Sequence, residues 1–362
     1  MRSVSIDAIQ IARMFAALLV VFDHALLRLM GAGLVEENHT FAFRSGGFGV
    51  LVFFLISGFV MAHSMYDKYA ADGVARNFLL RRLVRITPLY WLVTLLLVVL
   101  ALAANRLDSP APALLSMFYI PYLNEAGEVQ PMHGVGWTLN YEMEFYLFFA
   151  LCLCFSRRVG AVLLSSILIG LVLFRDALLV PFAGSPFWTV CVTFWSDPIV
   201  LFFLGGFWLG MLRAWMDRRQ SCPRARMDVL MGVLLATLVA YEVLLWQDRM
   251  PRWLEAVFAL SLVAALGLTS SVAESAAARF LKLLGDASYS TYLTHGFFLA
   301  VMYKLNAGVL PPLLYLAAAF VGSNLVGLAT YKLIEKPMLV RMQSWLSRPA
   351  RPAPLRPQQE NA

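Results

Sequence analysis

The feature that most constrains this chain is a series of apolar stretches, each long enough to cross a lipid bilayer. The hydrocarbon core is about 30 Å thick, so a crossing helix needs about 20 mainly apolar residues. The pattern therefore predicts an all-α, polytopic integral membrane protein with about ten transmembrane helices. The stretches lie at about 6–29, 46–66, 88–104, 134–155, 159–180, 188–212, 229–247, 253–271, 286–303 and 311–333.

Composition supports a membrane protein over a soluble one. The 362 residues are 60% hydrophobic and 14% charged, whereas soluble domains have about 25% charged residues. The four cysteines form neither a metal-ligand pattern nor a disulfide framework, and we predict no metal and no permanently bound cofactor. The net charge of +7 is interpreted as membrane topology, not as a nucleic-acid partner.

The distribution of lysine and arginine predicts the orientation. With both termini in the cytoplasm, the inner segments hold 21 of the 29 basic residues and the outer segments hold seven, as the positive-inside rule requires. Residues 1–340 are predicted to form one membrane domain. Residues 341–362 are rich in proline and arginine and are predicted to be a disordered cytoplasmic tail.

The first apolar stretch contains two ionisable residues, Arg13 and His24. A charge inside hydrocarbon costs at least about 2.5–3.5 kcal/mol, so such residues are functional candidates. Helix geometry places the two on nearly the same face, about 16 Å apart along the axis. A histidine in a dry pocket can act as a general base near neutral pH. The alternative is a packed histidine that is hydrogen-bonded to another helix.

A basic segment precedes the third stretch, where Arg81, Arg82 and Arg85 lie within about one helical turn. Guanidinium groups suit phosphate oxygens, so this cluster is a candidate phosphate site. The alternative is an anchor that meets lipid head groups. Pro88 follows the cluster and predicts that a new helix begins there, at the membrane interface.

Two carboxylates, Glu142 and Glu144, open the apolar helix predicted after residue 134. Their directions differ by about 200°, so only one of them readily faces a given site. Such a carboxylate could orient a histidine, as in a catalytic triad, or it could simply be solvated at the outer helix end. Asp23, whose side chain points about 100° away from His24, is interpreted as a wetted helix-end carboxylate.

Two further segments carry polar residues on apolar helices. Ser288, Tyr292 and His295 lie within an arc of about 60°. They could line a cavity for a hydroxylated substrate or hold helices together. In the second stretch, Ser57 and Gly58 are expected to make a close helix contact.

Together these segments resemble the integral-membrane acyltransferase family 3, whose members acylate bacterial surface carbohydrates. The chain is similar especially to the exopolysaccharide-production and O-antigen acetyltransferase types. Each motif alone is weak, but six of them follow in register along nearly the whole chain. They are RMFAALLVVFDH (13–24), GVLVFFLISGFV (49–60), LRRLVRITPLYW (80–91), GWTLNYEMEFYLFFAL (136–151), LGDASYSTYLTH (284–295) and LIEKPM (333–338). In the second motif, Leu51 stands where the family usually has an aspartate, so that carboxylate is dispensable or is supplied by another group.

The resemblance implies a cytoplasmic acyl-CoA donor, with acetyl-CoA as the first choice. It implies a hydroxyl of an exopolysaccharide, O-antigen or lipid-linked sugar as the acceptor. It also implies that the protein lies in the bacterial inner membrane, with polysaccharide assembly proteins as further candidate partners. On this hypothesis His24 is the general base and Glu142 orients it. Donor-binding residues are Arg13, Arg82 and Arg85, and the predicted pocket residues are Ser57, Trp137, Asn140, Tyr292 and His295.

The same pattern of residues is compatible with other functions. An ion-coupled transporter for a lipid-linked sugar also places arginine, histidine and glutamate within the membrane. A partner protein in polysaccharide export, without chemistry of its own, is a further alternative. Within the enzyme hypothesis, direct transfer and an acyl-histidine intermediate both remain open.

Overall fold

A computed structural model of the protein describes residues 7–106, 109–272, 275–306 and 310–346. Within these ranges the fold is helical apart from one short parallel strand pair, so the all-α prediction is confirmed. The helices are α1 Asp7–Gly31, α2 His39–Met65, α3 Val74–Ala103, α4 Ala111–Met117, α5 Trp137–Leu153, α6 Arg157–Leu173, α7 Arg175–Leu179, α8 Pro186–Trp195, α9 Val200–Arg218, α10 Met227–Trp246, α11 Arg252–Gly267, α12 Ala276–Asp286, α13 Ser288–Asn306, α14 Pro312–Thr330 and α15 Lys336–Leu346. Strand β1, Arg224–Arg226, pairs with β2, Ser270–Val272.

Short 3₁₀ turns, Gly134–Gly136 and Val180–Phe182, and a π-helical turn, Tyr331–Glu335, connect some of these helices. Helix α15 continues to Leu346, six residues beyond the predicted domain boundary at residue 340. The remaining residues of the predicted tail, 347–362, lie outside the described residues, so its disorder stays a prediction.

The structure has a helix in each of the ten predicted stretches, but fewer of these are candidate membrane spans. Within the described residues, six helical segments are long and apolar enough to cross a membrane, or seven if α6 and the following residues to Phe182 form one span across a 75° bend. Helices α5 and α11 have 17 and 16 residues, which is short for a full crossing. The protein is therefore a multi-pass membrane protein, while the number ten remains a prediction.

Helices α2 and α9 pack closely because glycines face each other across their interface. A Cβ atom at Gly58 would lie 2.0 Å from the carbonyl oxygen of Phe203, and one at Gly206 would lie 1.9 Å from that of Leu55. Small residues allow membrane helices to approach at backbone distance. The predicted close helix contact at Gly58 is therefore confirmed, whereas its neighbour Ser57 faces a cavity.

We expect Gly58→Leu to separate α2 from α9, because the new side chain would overlap the backbone of α9. Overpacking in a rigid interior typically costs about 1–3 kcal/mol, and backbone cannot move aside as a side chain can. The amount of folded protein in the membrane, measured by detergent extraction and gel filtration, should fall several-fold. Gly47→Leu is the matched control on the same helix, because no atom lies within 4 Å of a Cβ there. Equal yields of the two variants would contradict the prediction.

The prediction that a helix begins at Pro88 is wrong. Helix α3 begins at Val74 and runs through Pro88 to Ala103. Proline removes one helical hydrogen bond, but membrane helices tolerate this loss when neighbouring helices and local adjustments compensate. As a result, Arg82 and Arg85 lie on the body of a helix that also continues through the apolar region.

Candidate active site

Helices α1, α2, α3, α5 and α13 surround a partly open cavity. Its wall combines apolar side chains, such as Phe53 and Ile86, with a set of polar ones. The cavity therefore suits a ligand that has a long apolar part and a charged or hydroxylated part. The polar side chains that line it are Arg13, Ser57, Arg82, Arg85, Thr138, Glu142, Tyr146, Tyr289 and Tyr292.

The three arginines of this cavity, Arg13, Arg82 and Arg85, form no salt bridge within the described part of the chain. Arg82 lies 5.6 Å from the ring centre of Phe78 and 6.0 Å from that of Tyr146. These aromatic faces attract a cation without neutralising it. The cavity thus holds three guanidinium groups without a salt bridge and one carboxylate, Glu142, which acts electrostatically on Arg13 and Arg82. The excess of positive charge favours an anionic ligand.

Arg82 also connects this cavity to a second depression, which lies between the end of α2 and the beginning of α3. Lys68, Asn77 and Arg81 line that depression together with Arg82. A ligand that enters past these residues meets basic side chains before it reaches the cavity. Basic side chains thus outnumber the one acidic residue of this depression, Asp72.

Glu142 lies in the cavity but does not contact His24. Its carboxylate accepts a hydrogen bond from Ser57 Oγ at 3.0 Å and another from the hydroxyl of Tyr146. The described contacts therefore give no support to the prediction that Glu142 orients His24. Glu144 points to another face of α5, where it is buried and both of its oxygens lack a partner.

His24 instead pairs with His295 of α13. His295 Nδ1 lies 3.2 Å from the carbonyl oxygen of Thr291, and a carbonyl only accepts, so this nitrogen carries a proton. In the neutral ring, His295 Nε2 is then an acceptor, and it lies 3.1 Å from His24 Nδ1. His24 Nδ1 also lies 3.0 Å from the carbonyl oxygen of Val20. The hydrogen bonds thus assign the proton of His24 to Nδ1 and leave a lone pair on Nε2.

Tyr292 separates the cavity from this histidine pair. It lines the cavity, and its ring centre lies 6.1 Å from that of His295. Its hydroxyl lies 2.9 Å from Thr138 Oγ1 and donates to the carbonyl oxygen of Val135 at 2.9 Å. The side chain is therefore held in place between the arginine cavity and the imidazoles.

The remaining predicted pocket residues lie outside the cavity wall. Trp137 begins α5 and packs edge-on against Tyr141, with ring centres 5.9 Å apart. Asn140 is buried, and its Oδ1 has no partner. The interpretation of Asp23 as a wetted carboxylate is wrong, because it is buried against Gly46, where a Cβ would lie 2.4 Å from Asp23 Oδ2.

Sequence reasoning missed His133, which lies in the loop before α5. It comes within electrostatic range of His24 and His295, so three of the five histidines of the chain converge. Because His133 lies in a loop, no helical period relates it to the other site residues. The one signal available in the sequence was that histidine is rare in this chain. Among the described residues, no group of three His, Cys, Asp or Glu side chains could hold a metal ion.

Comparisons with known proteins identify the family of the chain. A family model described as an acyltransferase domain, that of acyltransferase family 3, matches residues 6–332. The chain belongs to this family. The matched residues include those that line the cavity and the histidine pair.

Two relatives have related names. The chain is 32% identical over 313 residues to the exopolysaccharide production protein ExoZ of Rhizobium meliloti (strain 1021), which covers 83% of this chain and 91% of the relative. It is 24% identical over 330 residues to nodulation protein 10 of Rhizobium leguminosarum bv. viciae, covering 82% of each. No solved structure matches the chain.

Leu51, which stands where the family usually has an aspartate, lies in apolar surroundings. Leu51 is partly buried and packs against an apolar cluster that includes Phe48 and Leu55 of the same helix. A carboxylate there would need a partner that this cluster does not offer. The leucine thus fits its surroundings in this member of the family.

Proposed function

We propose that this acyltransferase moves an acyl group, with acetyl as the first choice, from acyl-CoA to a hydroxyl of a bacterial surface polysaccharide or its lipid-linked precursor. The observation that carries the proposal is the cavity in which Arg13, Arg82 and Arg85 remain unpaired, next to a pair of hydrogen-bonded histidines. The name of the exopolysaccharide production relative favours a polysaccharide as the acceptor.

The donor enters from the cytoplasm in this proposal, with both termini of the protein on that side of the inner membrane. Its phosphates bind Arg82 and Arg85, because guanidinium groups form bidentate, charge-assisted hydrogen bonds with phosphate. The pantetheine arm extends past Arg13 along α1 towards His24. The rise of about 16 Å between these two residues is of the right order for an extended arm.

His24 acts as the general base in the transfer step. Its Nε2 takes the proton of the sugar hydroxyl while the hydroxyl oxygen attacks the thioester carbonyl carbon. The tetrahedral intermediate then collapses, the carbon–sulfur bond breaks, and the CoA thiolate takes the proton from His24. The products are the acyl ester and CoA with a free thiol.

His295 positions the base in this scheme, in place of the earlier candidate Glu142. By accepting a hydrogen bond from His24 Nδ1 at 3.1 Å, it fixes the ring and its tautomer, and so keeps the Nε2 lone pair available. Glu142, which is bonded to Ser57 and Tyr146, lies in the donor cavity and helps to shape it.

The proposal is tested by comparing the surface polysaccharide of strains with and without the intact gene by mass spectrometry. We expect ester-linked acyl groups to disappear in the deletion strain and to return on complementation. Membrane vesicles that contain the protein should then transfer isotope label from acetyl-CoA to polysaccharide from the deletion strain. Identical acylation in both strains, together with no transfer in vesicles, would refute the proposed function.

A further inference from the structure

His133 is held firmly next to the histidine pair by the loop that carries it. On one side of His133, the backbone N–H of Met132 donates to Ser116 Oγ at 2.9 Å. On the other side, the carbonyl oxygen of Val135 accepts the hydrogen bond from Tyr292. These two hydrogen bonds hold the backbone of the loop on both sides of His133.

The ring itself leaves one nitrogen free. It stacks on Phe297, with ring centres 5.8 Å apart and an angle of 23° between the planes, and it lies beside the backbone of Leu293, which acts to raise its pKa. Its Nε2 is buried and has no hydrogen-bond partner, which leaves Nδ1 as the nitrogen that faces the Leu293 backbone. Burial lowers the pKa of His133 to about 4. The neutral ring therefore presents a bare lone pair at Nε2.

A buried acceptor without a donor needs an explanation, because nearly all buried polar atoms in proteins have a partner. His133 is only 7% exposed, so bulk water does not readily supply the missing donor. An imidazole with a bare nitrogen accepts from a hydroxyl group. A hydroxylated ligand would provide the missing bond.

The location of His133 favours contact with the saccharide acceptor over contact with the acyl-CoA donor. It lies near His24, which is about 16 Å along α1 from Arg13, and on the far side of Tyr292, a residue of the cavity wall. The phosphates of a donor bound to the arginines are thus remote from it. A saccharide that approaches His24 would bring its hydroxyl groups next to His133.

We propose that His133 binds the saccharide acceptor, with Nε2 accepting a hydrogen bond from a second hydroxyl of the sugar whose reacting hydroxyl contacts His24. The inference rests on the proposed function. Two hydrogen bonds from one sugar to two fixed imidazoles would select which hydroxyl reaches the thioester, because they restrict how the ring can lie.

The test uses the full-length protein in nanodiscs, labelled acetyl-CoA and unacylated polysaccharide from the deletion strain. His133→Phe keeps a ring to stack on Phe297 but removes the acceptor nitrogen. It should raise the polysaccharide KM about tenfold, the effect of one lost hydrogen bond, while the acetyl-CoA KM stays within twofold. His133→Gln retains a side-chain acceptor and should recover part of the affinity. His39→Phe, at an exposed histidine with 55% of its side chain accessible, is the matched control.

Different failures have different meanings. A wild-type protein that transfers no label to the polysaccharide would overturn the proposed function, and this inference with it. If the wild-type protein is active, an unchanged polysaccharide KM in His133→Phe overturns the role of His133 alone. The role is also overturned by a fall in kcat without a change in KM, or by an equal rise in the KM of both substrates.

Discussion

Replacement of His24 by asparagine should nearly abolish acyl transfer while the protein remains folded. The amide nitrogen of asparagine lies close to the position of Nδ1, so the hydrogen bond to His295 can persist. The lone pair at the position of Nε2 is lost, and general base catalysis contributes about 10²- to 10⁴-fold to the rate. We therefore expect kcat to fall by about that factor, with little change in the acetyl-CoA KM.

The measurement is label transfer from acetyl-CoA to polysaccharide by purified protein, with folding checked by gel filtration. His39→Asn is the matched control, because this histidine lies at an exposed position on α2 and pairs with Glu37. It should keep normal activity. A His24→Asn enzyme that works at a near-normal rate would rule out His24 as the base, and His295 would be the next residue to test.

The arginine cavity gives the second large effect. Arg82→Ala and Arg85→Ala should each weaken acetyl-CoA binding about tenfold or more, since a hydrogen bond to a charged group contributes about 1.5–3 kcal/mol. Neither guanidinium forms a salt bridge, but Arg82 acts electrostatically on Glu142 and Arg85 on Glu335, so folding of each variant is checked by gel filtration. Acetyl-pantetheine, which lacks the nucleotide, should bind all variants equally. Calorimetry with both ligands measures the difference.

Arg76→Ala is the control for this series, because Arg76 lies on the same helix α3 but is exposed and outside the cavity. Its acetyl-CoA affinity should match that of the wild-type protein. If the two cavity variants bind acetyl-CoA normally but lose activity, these arginines act on the acceptor or on structure. Equal weakening of acetyl-pantetheine would likewise argue against contacts with the nucleotide phosphates.

The placement of Arg13 and Glu142 illustrates how far helical periodicity can predict a site. Both were expected to face a functional pocket, and both line the same cavity. The period of 3.6 residues fixes the direction of a side chain relative to its own helix. It does not fix which neighbouring helix that side chain meets, so the expected contact between Glu142 and His24 is absent from the described contacts.

The boundaries of the helices were likewise predictable only in part. Apolar runs predicted a helix in every stretch, because lipid requires about 20 apolar residues in a row. They did not predict that α3 would pass through Pro88, since the loss of one hydrogen bond is compensated by neighbours that the sequence does not reveal. The break after Leu173, next to Arg175 and Asp176, leaves a bent pair instead of one straight span.

By itself, the sequence determined the membrane class and the shared helix face of Arg13 and His24, because these depend on composition and local helix geometry. The family was recognised from the likeness of its motifs. Only the tertiary structure decided that His24 pairs with His295, which lies 271 positions away. It also brought His133 to the same place from a loop. Contacts between distant segments depend on how whole helices pack against one another, and the local period of a sequence carries no information about that packing.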